Sequence, residues 1–179
     1  THGTSADSNV DSVTTADVPA QPNAPTLAIN DPDNAPLNIS VTFANPSDGG
    51  SAINSWFIER WDATTSAWST VVASTGTTDL AYPDNSVLAN TEYKYRVSAI
   101  NGIGTSVASS ESTSITTPTI PDAPTSLVAT TVDTASIELN WTLPASDGNS
   151  IIQSFSIQND ATGSFAQIDT VSGTATTFT

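Results

Sequence analysis

The stretch SDGGSAINSWFIER at 47–60 returns as SDGNSIIQSFSIQN at 146–159, a spacing of 99 residues. Asn23-Ala24-Pro25-Thr26 returns at that spacing as Asp122-Ala123-Pro124-Thr125, and Ile39, Val41 and Phe43 return one residue earlier as Ile137, Leu139 and Trp141. A chain that repeats at this period folds as a row of like units, each burying its own core. The slip of one residue falls in a loop, where an insertion costs little. A third copy contributes only its end, because GTSADSNVDSVTTADVPAQPNAP at 3–25 resembles GTSVASSESTSITTPTIPDAP at 104–124. The expected organisation is therefore the last strand of a preceding unit at 1–18, a complete unit at 19–118, and the first strands of a following, truncated unit at 119–179. With Thr1 in place of an initiator and no basic, apolar leader, the chain reads as a piece of something longer.

Within a unit the apolar residues alternate. Ile39, Val41 and Phe43 are interleaved with Ser40 and Thr42, and Tyr93, Tyr95, Val97 and Ala99 with Lys94, Arg96 and Ser98, the period of 2 that a half-buried strand requires. Ile53, Trp56 and Ile58 mark a further strand, and Trp68, Val71 and Val72 another. Turn residues separate them: AsnProSerAspGlyGly at 45–50, TyrProAspAsn at 82–85 and AsnGly at 101–102. Helical periodicity is absent. About seven short strands in a unit of roughly 100 residues predict an antiparallel sandwich.

These residues resemble the fibronectin type III family. The resemblance runs through the Pro-rich lead AsnAlaProThr, the inward triplet ending in Phe43 or Trp141, the Asp-Gly turn, Ile53 with Trp56, and above all LANTEYKYRVSAING, in which Leu88 stands five residues before Tyr93. It implies an all-β fold of tandem, immunoglobulin-like antiparallel sandwiches. It further implies core or corner roles for Phe43, Trp56, Leu88, Tyr93, Tyr95, Val97 and Trp141, with the Tyr93 hydroxyl bonding back to nearby backbone. Phe43 stands where the family usually has Trp, so a neighbour such as Trp56 or Trp68 is expected to fill the space. An ArgGlyAsp motif is absent from AsnGlyIleGlyThrSer at 101–106, so integrin binding is not implied.

Composition narrows the chemistry. Hydrophobic residues make up 37% of the chain and include four Trp, enough for a core. Three basic residues against 18 acidic ones, a net charge of -15, exclude nucleic acid and anionic membrane surfaces as expected partners. No Cys or Met is present, which removes disulfides and thiolate metal sites. No apolar run reaches the roughly 18–20 residues of a membrane span.

Catalysis finds little footing. His2 is the single histidine and lies in the residual segment, away from any Ser-Asp pairing that the spacing suggests. Asp31 and Asp33 are weak calcium candidates, with Asp48 and Asp147 weaker still, against the simpler reading as loop and turn residues. Gly102-Ile103-Gly104 precedes no helix and reads as a hairpin rather than a phosphate cradle. Trp61 and Trp68 are expected in packing, with sugar stacking as the alternative. Asn38-Ile39-Ser40 and Asn140-Trp141-Thr142 are sequons, and both Asn38 and Asn140 are expected to point outward as possible glycosylation sites.

The function expected from these readings is a non-catalytic structural, spacer and adhesion or interaction module of a large protein, extracellular, on a cell surface or envelope, or on a virion surface. It needs no cofactor. Its partners are other protein surfaces or neighbouring copies of itself, and carbohydrate as a further option. The alternatives are a module of the tail or fibre of a tailed virus, and a carbohydrate-binding or spacer unit of a secreted polysaccharide hydrolase.

Overall fold

A computed structural model of the chain describes residues 2–3, 13–30, 37–63, 65–160 and 163–179. Asp31 and Asp33 lie outside the described residues. The chain divides into two compact units, one formed by Thr1–Ser86 with Tyr93–Ile115 and the other by Val87–Glu92 with Thr116–Thr179. All regular structure among the described residues is β, and no helix there is long and apolar enough to cross a membrane.

In chain order the strands are β1 (Thr26–Ile29), β2 (Ile39–Thr42), β3 (Ile53–Asp62), β4 (Ala67–Val72), β5 (Ala81–Asp84), β6 (Glu92–Tyr93), β7 (Tyr95–Asn101) and β8 (Ile115–Thr116). The first unit is built from two three-stranded antiparallel sheets, ordered β1-β2-β5 and β4-β3-β7. The inward residues of each alternating strand meet between the sheets: Ile39, Val41 and Phe43 from β2 and its end, Trp56 and Ile58 from β3, Tyr95, Val97 and Ala99 from β7. Burying an aliphatic or aromatic side chain of this size contributes about 1.5–3 kcal/mol.

Two details answer to local chemistry. Ile53 and Trp56 are three apart, which a regular strand would place on opposite faces; the register of β3 against β7 shifts between Ile53 and Ser55, a bulge that restores the phase. TyrProAspAsn, expected as a turn, instead supplies most of β5, where Pro83 pairs with Ser40. β5 is an edge strand, the position in which a residue without an N–H is tolerated. The smaller Phe43 is compensated by Trp56, whose ring lies 4.4 Å away; Trp68 stands elsewhere.

The second unit repeats this plan in β9 (Thr125–Thr131), β10 (Ile137–Thr142), β11 (Ser154–Asn159), β12 (Ala166–Ser172) and β13 (Thr177–Phe178), as sheets β13-β10-β9 and β11-β12. Trp141 and Ile157 are buried, and Trp141 meets Phe155 edge-on at 5.8 Å. They border an open cleft of about 220 Å³ with Pro124, Leu127 and Leu139. Leu127, Ile151 and Phe165 are exposed.

Candidate functional site

The densest polar cluster lies inside the first unit. Arg60 near the end of β3, Asp84 closing β5 and Tyr95 opening β7 converge because the three strands belong to facing sheets of one sandwich. Asp84 is 2% exposed. Its Oδ2 accepts from Arg60 Nη1 at 2.8 Å and from the Tyr95 hydroxyl at 2.9 Å. Its Oδ1 accepts from the Ser86 amide at 2.9 Å and the Ser86 hydroxyl at 2.6 Å. Arg60 also lies over the Tyr93 ring, 5.1 Å from its centroid.

Burial alone would push the Asp84 carboxyl up, but the Ser86 hydroxyl and amide, the Tyr95 hydroxyl and Arg60 together hold it below the usual carboxylate value. Tyr95 moves far upward, through burial first and the adjacent Asp84 carboxylate second. The acid is thus fixed ionised and the phenol fixed protonated at neutral pH. General acid-base work needs a group poised to exchange its proton, so this cluster joins strands rather than moving protons.

On the opposite face of β3, Arg96 makes a two-pronged pair with Glu59, Nε–Oε2 2.7 Å and Nη2–Oε1 2.8 Å. The same guanidinium lies 4.5 Å over the Trp68 ring. Trp61 and Trp68 are direct cross-strand partners, their rings edge-to-face at 5.5 Å. Both indoles are half-buried, and the Arg96 guanidinium covers one face of Trp68.

Asn101, expected simply as half of an AsnGly turn, is 4% exposed and central to one end of the first unit. Its Nδ2 donates to the carbonyls of Asp17 at 2.8 Å, Asp48 at 2.9 Å and Ser51 at 3.2 Å. Its Oδ1 accepts from the amides of Ile103 and Gly104. Asp48 and Asp147 each cap their own turn, accepting from the amides of Gly50 and Asn149 at 2.9 Å. Among the described residues no cluster of three or more His, Asp or Glu is placed to hold a metal ion.

The free edge of β7 is closed by a device that the sequence reading missed. The amides of Ser106, Ser109 and Ser112 donate to the carbonyls of Ala99, Val97 and Tyr95 at 2.8–2.9 Å. Their hydroxyl oxygens accept from the amides of those same three residues at 3.0 Å. Three residues of this rail match two of β7, so it advances about 2.3 Å per residue against about 3.4 Å in a strand. All three serines are buried. The signal was a serine at every third position, hidden in a Ser/Thr-rich chain.

The remaining expected positions fall as follows. Phe43, Trp56, Tyr93, Tyr95, Val97 and Trp141 are buried, with the Tyr93 and Tyr95 rings 6.4 Å apart. Leu88, expected in a core or corner role, is 69% exposed, and its carbonyl accepts from the Thr117 hydroxyl. Asn38 departs from the expected outward position and is 8% exposed, its Oδ1 accepting from Asn30 Nδ2. Asn140 is half-buried beside Glu138, with Nδ2 to Oε2 at 3.1 Å.

No protein-family profile matches the chain. It is 31% identical over 159 residues to protein sidekick-2 of Mus musculus, a match covering 87% of this chain and 7% of that protein. It is 29% identical over 168 residues to exoglucanase B of Cellulomonas fimi, covering 88% of this chain and 15% of that protein. The chain thus spans only a small part of these relatives. Among solved structures, a crystal structure of titin domains aligns at 29% identity over 57% of this chain and 33% of its own, TM-score 0.48. An Fn3-like protein from Clostridium thermocellum aligns at 22% identity over 58% and 98%, TM-score 0.45.

Proposed function

We propose, from the premise that this chain is a tandem array of fibronectin type III units, that it is a non-catalytic spacer and adhesion or interaction module of a long extracellular, cell-envelope or virion-surface protein. The observation that carries this reading is the fate of the cations. All three Lys and Arg are tied to carboxylates, Arg60 to Asp84, Lys94 to Glu111 and Arg96 to Glu59. None is left over to polarise a substrate, and the charge that remains on the surface is acidic. Such a surface repels its like and keeps a repetitive chain soluble. Each sandwich acts as a bead, and the Pro-containing joins at 15–21 and 117–121 restrict bending. Its partners are other protein surfaces or further copies.

A second reading, a carbohydrate-binding or spacer unit of a polysaccharide hydrolase, is favoured by the Trp61–Trp68 platform and by the match to an exoglucanase. Co-sedimentation of the chain with insoluble cellulose and chitin separates the two. The spacer reading expects the chain in the supernatant; retention that Trp68→Ala abolishes replaces it with the second.

A further inference from the structure

The repeated Ser-Asp-Gly turn does more than reverse the chain. In the first unit the amide of Asp17 donates to Gly49 and that of Ala20 to Ser47, both at 2.8 Å. In the second unit the amide of Thr119 donates to Gly148 at 2.8 Å and that of Asp122 to Ser146 at 3.0 Å. Each time, two amides three residues apart meet two carbonyls two residues apart, and the carbonyls belong to equivalent positions of the turn.

The segments that dock share a period. Pro19, Pro22 and Pro25 lead into the first unit, Pro118, Pro121 and Pro124 into the second. Proline at every third position favours the polyproline II helix, which has three residues per turn, so every third amide faces the same way. Pro19, Pro22 and Pro25 are all buried. The turn is shaped for close approach. Gly49 and Gly148 have φ of 69° and 72°, and a Cβ on Gly49 would stand 2.5 Å from the Asp17 carbonyl oxygen. A Cβ on Gly148 would overlap Thr119 and Ile120 backbone. Side-chain amides secure the same segments, Asn101 Nδ2 on the Asp17 carbonyl at 2.8 Å and Asn149 Nδ2 on the Thr116 carbonyl at 2.9 Å.

One difference is informative. Pro25 and Pro124 are equivalent, as are Gly49 and Gly148, yet the docked amides of the second unit lie one three-residue period closer to the first strand than those of the first unit. A segment periodic in three presents the same face again after such a shift. We infer that the Ser-Asp-Gly turn is a docking site for an extended lead-in segment with proline at every third residue, and that the segment can occupy it in registers three residues apart.

Amide hydrogen exchange on the 179-residue chain tests both parts. Asp17, Ala20, Thr119 and Asp122 are expected to exchange at least about tenfold more slowly than Ala16, Gln21, Ile120 and Ala123, the contrast between a closed and a freely opening bond. Gly49→Ala is expected to release Asp17 and Ala20 while Val97 keeps its protection. Uniform exchange along 16–21, or unchanged protection of Asp17 and Ala20 in Gly49→Ala, overturns the docking site. Should Val97 lose protection as well, Ala20→Pro decides, because it removes one donor and leaves the turn intact. Newly slowed exchange at Thr14, with Asp17 still slow, is the expected one-period shift. Thr14 at the free rate overturns the alternative registers, and Asp17 at the free rate with it overturns the docking site.

Discussion

Replacing Tyr95 by Phe deletes one oxygen from the centre of the first unit and leaves the ring in place. That oxygen donates at 2.9 Å to a carboxylate only 2% exposed. A hydrogen bond to a charged group is worth about 1.5–3 kcal/mol, and Asp84 keeps Arg60 and both Ser86 donors, so the loss falls near the lower end, about 1.5–2 kcal/mol. With a urea slope of about 1–1.5 kcal/mol/M for a unit of this size, the unfolding midpoint drops by roughly 1–2 M. The indole resonance of Trp56, fully buried in that unit, reports the transition without interference from Trp141. Asp84→Asn provides the control. If the hydroxyl acts through the carboxylate, the two substitutions together cost less than their sum by about 1 kcal/mol. An equal cost of Tyr95→Phe in both backgrounds would refute the assignment and leave packing as the cause.

The depressed Asp84 predicts acid lability. Its contribution is complete above the unfolded carboxylate value and is lost as pH falls from about 4 through its folded value, so a urea midpoint that stays flat from pH 5 to pH 2 counts against it. Tyr95 predicts the opposite limb: the unfolded phenol ionises near pH 10 while the folded one holds its proton, so stability declines as pH rises beyond about 10, and Tyr95→Phe flattens that decline. Ser109→Ala leaves the Val97 amide without its hydroxyl acceptor and costs about 1–3 kcal/mol, whereas the exposed neighbour in Ser110→Ala stays within about 0.5 kcal/mol; thermal melts of the pair that coincide dismiss the rail as a source of stability. Arg96→Lys keeps the charge but loses the fork on Glu59, for a cost of about 0.5–1 kcal/mol in the same melts.

Residues whose effect is local were the legible ones. Alternation placed Ile39, Val41, Tyr95 and Val97 inward because the pleat forces a period of 2. Trp141, like Phe43, follows from its position at the end of such an alternation. What escaped depends on partners distant in sequence or on groups that periodicity does not weigh. Asp84 sits in TyrProAspAsn, a string of turn formers, and nothing local says that Arg60 and Tyr95 await it. Asn101 looked complete as a turn residue, while its side-chain amide was reaching for Asp17, Asp48 and Ser51. Leu88 takes part through its backbone, its side chain exposed and its carbonyl held by the Thr117 hydroxyl, which apolar patterning does not weigh. Strict alternation with Ile39 predicts Asn38 outward, but Asn38 precedes β2 and need not obey the pleat.

The serine rail has a consequence for a protein that carries near-copies of itself on one chain. Tethered neighbours see each other at millimolar effective concentration, and their strands resemble one another closely enough to exchange partners. An ordinary final strand beside β7 could be displaced by the matching strand of the next copy, since one two-residue ladder fits another. A rail that meets β7 three residues for two, and fills both its donors and its acceptors with buried serines, offers no register to an intruding strand. Mispairing between repeats is thus obstructed by geometry at the edge where similarity of sequence would otherwise invite it.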